Sequence, residues 1–111
     1  MSNNLMAHHD SAVLRGRIRS LIETELGRQL DAAYLYGSRA RGDARPDSDW
    51  DVLVMLRDDA DWPKARAKMR RLTGQLAEES SERVSILPLR WLDADDHAGL
   101  LTNVAREGQR L

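Results

Sequence analysis

The sequence contains no cysteine and no phenylalanine, and only three of its residues are proline. Without cysteine it can form neither a disulfide framework nor a thiolate metal site, which fits a reducing compartment. No apolar run approaches the ~20 residues that a membrane-spanning helix requires, and the first ten residues lack a signal-peptide pattern. We therefore expect a soluble cytoplasmic protein without a membrane partner.

Charge of a single sign is also missing, because 17 Lys+Arg are balanced by 18 Asp+Glu for a net charge of −1. Nonspecific nucleic-acid binding usually requires a strong positive excess, so nucleic acid is not expected as a partner. A local basic cluster remains at Arg39, Arg41 and Arg45, where a solvated loop and a phosphate-binding loop are both possible.

The chain of 111 residues is long enough for one domain and too short for a second, substrate-holding domain. We expect residues 1–10 to form a flexible lead and residues 11–111 to form the single domain. Such a protein either acts on something large that comes to it or binds a partner chain.

Hydrophobic periodicity predicts an alternation of helices and strands. The predicted elements are a helix from Asp10 or Ser11 to about Gly27, strands over 32–36 and 51–56, a helix from Asp59 or Asp61 to about Ser80, a strand over 84–89, and a helix from Asp95 or Asp96 to about Gly108. The run over 51–56 is almost entirely apolar, as in a central strand that is covered on both faces. The order of elements indicates a small α/β sandwich.

The strand that ends at Gly37 and Ser38 predicts a phosphate-binding turn. Glycine lets the backbone approach a ligand closely, and Ser38 offers a hydroxyl and an N–H to phosphate oxygens. If a helical turn follows, its free N–H groups also favour an anion, and Arg39 and Arg41 add positive charge. Taken alone, such a dipeptide more often forms only a tight turn.

Two carboxylates, Asp49 and Asp51, stand two residues apart at the start of the central strand. Side chains at this spacing point to the same face, about 6.6–6.8 Å apart along the backbone, whereas Trp50 faces the opposite side. The two like charges repel, and a hard cation such as Mg²⁺, which prefers carboxylate and phosphate oxygens, relieves the repulsion. A solvated strand entrance is the plain alternative.

Together these residues form the pattern Gly37-Ser38, ten residues, Asp49-x-Asp51. In this the chain resembles the nucleotidyltransferase superfamily that includes DNA polymerase β, and most of all its smallest members, the minimal nucleotidyltransferases. The tail over 103–108 also resembles the usual ending of that family. The resemblance covers most of residues 11–111 and implies an α/β fold in which a small mixed β-sheet is flanked by helices.

The resemblance also implies roles for individual residues. Gly37, Ser38 and Arg39 would bind the nucleotide, and Asp49 and Asp51 would be the catalytic residues that bind Mg²⁺. The reaction would move a nucleoside monophosphate, AMP from ATP above all, to a hydroxyl group and release pyrophosphate. Minimal members often act as antitoxins of a HEPN-domain toxin, and some silence it by adenylylating a tyrosine.

One position departs from the family pattern. Active members carry a third carboxylate on the next central strand, and the position that aligns with it here is Ser85. Glu82 is nearby in sequence but would lie about 10 Å away on the opposite face, whereas Asp43 and Asp47 lie in a loop that could approach. Because loss of a general base costs ~10²–10⁴-fold in rate, the chain is either a slow enzyme, one that borrows a group from its partner, or a module that only binds.

Two alternatives to a protein-modifying enzyme follow. A catalytically weakened member would neutralise its partner simply by forming a complex with it. Transfer to a small molecule, as in antibiotic-modifying relatives, is a weaker interpretation because the chain has no room for a substrate domain, unless an oligomer completes the pocket.

Overall fold

The computed structural model describes residues 11–111. Its elements are α1 (Ser11–Leu26), β1 (Leu30–Tyr36), α2 (Ser38–Arg41), β2 (Trp50–Leu56), α3 (Trp62–Ser80), β3 (Val84–Arg90), α4 (Ala98–Glu107) and β4 (Gln109–Arg110). Two 3₁₀ turns, Gly27–Gln29 and Trp91–His97, precede β1 and α4. The predicted flexible lead lies outside the described residues, and within them no helix is long and apolar enough to cross a membrane.

The four strands form one sheet in the order β3-β2-β1-β4. Strand β2 runs parallel to β3 and antiparallel to β1, which also pairs with the short strand β4 in the antiparallel sense. Six of the seven residues of β2 are buried, as the apolar run over 51–56 predicts for a central strand. The predicted small mixed sheet with flanking helices is therefore confirmed.

Alternation along β2 sends successive side chains into two separate cores. Val52 and Val54 pack under α1 and α3 in the larger core. Leu53 and Met55 lie on the other face, where the smaller core includes Val104 of α4. Helix α4 therefore covers the sheet face to which Asp51 belongs, since Asp51 has the same parity as Leu53 and Met55.

Helix α3 begins where its sequence predicts. The N–H of Lys64 donates to Asp61 Oδ1 at 3.1 Å, and Pro63 lies in the first turn. Four residues of one stripe are buried at three- and four-residue spacing: Ala65, Met69, Leu72 and Leu76. The stripe fixes α3 against the sheet and leaves its neighbouring faces exposed.

The prediction that the last helix begins at Asp95 or Asp96 is wrong. The whole segment Trp91–His97 forms a 3₁₀ turn, and α4 starts only after it. The N–H of Leu92 donates to Asp58 Oδ1 at 2.8 Å, which ties the start of the segment to the loop after β2. Side-chain acceptors of this kind compete with the hydrogen bonds of a helix, and sequence periodicity does not reveal them.

Candidate active site

Strand β1 ends at a sharp turn that only glycine accommodates easily. Gly37 has φ +76° and ψ −158°, and its carbonyl accepts hydrogen bonds from the N–H groups of Ala40 and Arg41 at 3.0 Å each. Such dihedrals are strained for any residue with a Cβ. Helix α2 begins directly after the turn at Ser38, so the N–H groups of its first residues lack partners within the helix.

The turn lies directly against one of the two carboxylates. Tyr36 pairs with Asp51 in the antiparallel ladder of β1 and β2. A Cβ placed on Gly37 would lie 2.5 Å from Asp51 Oδ2, well inside van der Waals contact. The two halves of the sequence motif, which are separated by the loop over 42–49, therefore meet at one point.

The second carboxylate stands at the entrance of β2. Asp49 precedes the strand, and its Oδ1 forms an ion pair with Arg83 Nε at 3.0 Å. Burial raises the pKa of Asp51, the charge of Asp49 raises it further, and Arg41 only partly offsets both. Asp49 is thus close enough for its charge to disfavour ionisation of Asp51, as expected for a site that receives a cation.

Tyr36 extends the site beyond the residues that the sequence singles out. Burial raises the pKa of its hydroxyl, and the negative charge of Asp51 raises it further. The hydroxyl therefore stays protonated at neutral pH and can donate a hydrogen bond. Only strand pairing brings Tyr36 beside Asp51, and the sequence pattern gives no sign of it.

Arg41 connects the turn to the C-terminal helix. Its guanidinium pairs with Asp43 at 3.3 Å and with Glu107 of α4 at 3.1 Å. The hydrogen bond that Arg41 donates to Asp43 is the largest of several influences that raise the pKa of Arg41. Gln109 Nε2 also donates to the carbonyl of Ala40 at 3.0 Å, so the C-terminal segment holds α2 from one side.

The guanidinium of Arg39 is held by the loop before β2 and by Glu82. Its guanidinium stacks 4.9 Å from the centre of the Trp50 ring and donates to the carbonyls of Ser48 and Pro46 at 2.9 and 3.3 Å. The same Nη2 lies 3.3 Å from Glu82 Oε1, which also accepts from Trp50 Nε1 at 3.0 Å. Arg39 therefore anchors the loop that leads to Asp49, and its contact with nucleotide stays a prediction.

Ser85, the predicted position of a third carboxylate, lies on β3 beside Asp51. Ser85 is the direct partner of Asp51 in the parallel ladder of β2 and β3, and its side chain is exposed. Glu82 is buried among Arg39 and Trp50 instead. Within residues 11–111 no group of three or more Asp, Glu, His or Cys side chains is placed to hold a metal ion.

The loop carboxylates do not take this place. Asp43 pairs with Arg41 and is largely exposed, Asp47 is exposed, and neither forms a group of three carboxylates with Asp49 and Asp51. The donor set at the carboxylate pair is therefore Asp49 and Asp51. This suits a hard cation whose remaining ligands are water and substrate phosphate oxygens.

Comparison with known proteins agrees with this geometry. Residues 17–111 match the family described as "Polymerase beta, Nucleotidyltransferase". No curated protein sequence matches the chain. Among solved structures, one that is provisionally described as a minimal nucleotidyltransferase is 28% identical with a TM-score of 0.65, and the match covers 94% of this chain and 98% of that one.

Two further structures are toxin–antitoxin complexes. One, solved with AMP-PNP, is 23% identical with a TM-score of 0.65 and is matched over 86% of this chain and 69% of its own. The other is a tri-AMPylated Shewanella oneidensis HEPN toxin with its MNT antitoxin, 20% identical with a TM-score of 0.63, covering 89% of this chain and 69% of that one. Both share the fold of this chain. The family match over residues 17–111 is consistent with the sheet and with the meeting of Gly37 and Asp51. The chain therefore belongs to the polymerase β nucleotidyltransferase family.

Proposed function

We propose that the protein is a magnesium-dependent nucleotidyltransferase that moves AMP from ATP to a hydroxyl of a partner protein, and that it serves as the antitoxin of a HEPN-domain toxin. The contact between Gly37 and Asp51 carries the proposal. It joins a turn suited to phosphate with a carboxylate pair suited to a cation. A tight turn or a solvated strand entrance alone would not require this contact.

The carboxylate pair fits Mg²⁺ by its chemistry. Asp51 has a raised pKa because of burial and of the nearby Asp49, so a bound cation would stabilise the charged form of both. When bound, the ion would neutralise the charge of the phosphates and orient them. Asp49 would have to leave Arg83, and because both side chains are largely exposed, little free energy opposes that exchange.

The reaction itself is a substitution at phosphorus. The acceptor oxygen forms a bond to the α-phosphorus, the bond from that phosphorus to the oxygen bridging the β-phosphate breaks, and pyrophosphate leaves. The N–H groups at the start of α2 and the hydroxyl of Ser38 hold the triphosphate, and the absence of a side chain at Gly37 gives its phosphates room beside Asp51. Arg39 keeps the loop in place and thereby positions Asp49.

Proton removal is the weak point of the site. The acceptor hydroxyl must lose its proton, and Ser85, the partner of Asp51 in the ladder of β2 and β3, offers no carboxylate to accept it. Since no other described carboxylate fills the place, the proton leaves to water or to a group on the acceptor protein. Because no described residue acts as a general base for this step, we expect a slow enzyme.

The neighbouring structures supply the nucleotide and the partner class in this proposal. One toxin–antitoxin complex was solved with AMP-PNP, and another contains an AMPylated HEPN toxin beside its MNT antitoxin. At 23% and 20% identity, these structures show that the fold is shared, and no residue role is taken from them. The roles rest on the geometry of Gly37, Asp49 and Asp51.

Ser85 favours a second candidate, a module that neutralises the toxin by binding it without modifying it. A transfer assay separates the two. The purified protein is incubated with its co-purifying HEPN partner, α-labelled ATP and Mg²⁺, beside an Asp49→Asn/Asp51→Asn variant. Label on the partner that the variant fails to deliver supports the enzyme. A stable complex without label refutes transfer from ATP to that partner and supports the binding module.

A further inference from the structure

A groove of about 510 Å³ runs along the outer side of β3, between that strand and α3. Its floor is formed by β3 from Val84 to Pro88, and one end reaches Asp49 and Arg83 at the active site. Helix α3 supplies the wall, with Arg66, Arg70, Thr73 and Ala77. The groove therefore begins at the carboxylate pair and extends away from it.

The wall is a defined face of α3. Arg66, Arg70, Thr73 and Ala77 follow one another at four-, three- and four-residue spacing, so they share one side of the helix. Each follows a member of the buried stripe by one position, which places this face next to the core. Because the stripe anchors α3, the two arginines are displayed from a rigid support.

Trp62 links the two sides of the groove near Pro88. Its Nε1 donates to the carbonyl of Pro88 at 2.9 Å, and the guanidinium of Arg66 stacks 5.4 Å from its ring. These contacts tie the start of α3 to the end of β3. They also keep the charge of Arg66 over the groove.

The floor is an edge strand. In the sheet, β3 is outermost and pairs only with β2 among the described strands. The N–H of Trp50 donates to the carbonyl of Arg83 at 2.8 Å, so the backbone groups of Arg83 and Ser85 face β2. By alternation, the backbone groups of Val84 and Ile86 face the groove, where an incoming extended segment could pair with them.

The charge of the groove selects the partner. Three arginines line it, and Asp49, the acidic residue of the described lining, already pairs with Arg83 at 3.0 Å. A segment that adds to this edge would therefore be favoured if it carried Asp or Glu side chains toward Arg66 and Arg70. A chain lying along five residues of β3 would span about 16 Å and end beside the active-site carboxylates.

We propose that this groove docks an extended, acidic segment of the acceptor protein as an added strand on β3, so that the acceptor hydroxyl arrives at Asp49 and Asp51. The inference rests on the proposed transfer to a protein and names the surface that selects the acceptor protein. The edge backbone favours a polypeptide over RNA, because pairing with β3 requires N–H and C=O groups in register.

The test uses a fluorescein-labelled peptide of alternating Glu and Thr, about ten residues long to exceed the length of the groove. Its binding is measured by fluorescence anisotropy at about 0.15 M salt, where the Debye length is ~8 Å, and without nucleotide. Arg66→Glu/Arg70→Glu should weaken binding by about tenfold or more. Arg28→Glu, an exposed arginine outside the groove lining, should change it less than about twofold, because its side chain does not face the bound segment.

Hydrogen exchange gives the second readout. The amide of Ile86 should exchange more slowly when the peptide is bound, because pairing with the added strand protects it. Equal peptide affinity in the groove variant and the Arg28→Glu control would overturn the proposal, and so would unchanged exchange at Ile86. Tighter binding of an oligouridylate of equal length, lost in the same groove variant, would overturn it in favour of RNA.

Failure here can be told apart from failure of the proposed function. The groove variant should bind Mg²⁺-ATP as the wild type does, since Arg66 and Arg70 lie outside the nucleotide site. Normal nucleotide binding without any peptide binding would sink the docking groove alone. Peptide binding at the groove without nucleotide binding would sink the transferase and leave the groove standing.

Discussion

Replacing Gly37 by alanine tests the geometry of the site at its tightest contact. The residue has φ +76°, and an added Cβ would lie 2.5 Å from Asp51 Oδ2. An ordinary van der Waals contact begins near 3.4 Å. The carboxylate oxygen must therefore retreat by about 1 Å, or the turn must open by the same amount.

Two effects are expected from this substitution. Backbone strain of ~1–3 kcal/mol at a dihedral that suits only glycine should lower Tm by about 4–12 °C in a domain of this size. Displacement of a catalytic group by about 1 Å should lower the rate of transfer by roughly 100-fold. Thermal unfolding measures the first effect, and single-turnover transfer of α-labelled AMP measures the second.

Gly42→Ala is the matched control. Gly42 also has a positive φ, +87°, but a Cβ there meets nothing within 4 Å. It should therefore lose about 1–2 kcal/mol of stability while its Asp51 carboxylate stays in place. If Gly37→Ala transfers AMP as fast as Gly42→Ala, the contact between the turn and Asp51 does not hold the site, and the reasoning is wrong.

Three further substitutions probe the surrounding groups. Asp51→Asn should raise Tm at pH 7 and abolish Mg²⁺-ATP binding. Because the pKa of Asp51 is raised in the folded state, its ionised form destabilises that state. The gain in Tm should therefore shrink as the pH falls toward 3.8, the ordinary pKa of an aspartate. A Tm gain that stays constant from pH 7 to pH 4 would contradict this assignment. Ser85→Asp should speed transfer by ~10²–10⁴-fold by supplying a proton acceptor beside Asp51, whereas Ser85→Ala should leave the rate unchanged; an unaltered rate in Ser85→Asp would show that proton removal is not limiting. Arg39→Met should cost about 2 kcal/mol in urea unfolding because it breaks a part-buried ion pair and frees two loop carbonyls, whereas Arg45→Met in the same loop should stay within about 0.5 kcal/mol. Equal losses in the two variants would mean that Arg39 does not anchor the loop.

The helices and central strands could be predicted because each depends on a local pattern. The buried stripe of α3, its cap at Asp61 and the apolar run of β2 are all written into consecutive residues. The turn over Trp91–His97 could not be predicted in this way. Its shape depends on Asp58, an acceptor more than thirty residues earlier in the chain.

The candidate site likewise combines features that follow from local sequence with features that depend on distant residues. The spacing of Asp49 and Asp51 predicts that they share a face, and the motif predicts a turn at Gly37. The 2.5 Å approach of that turn to Asp51 follows only from the antiparallel register of β1 and β2. The sequence also does not reveal that the guanidinium of Arg39 contacts Trp50 and the distant Glu82, and its contact with nucleotide stays a prediction.

The most direct test of the central claim is calorimetric titration of the protein with ATP, with and without Mg²⁺. The account predicts binding that requires Mg²⁺ and is lost in Asp49→Asn/Asp51→Asn, because the carboxylate pair and the triphosphate share the ion. ATP binding that is equally tight without Mg²⁺, or that survives in the double variant, would contradict a nucleotide site at Gly37, Asp49 and Asp51.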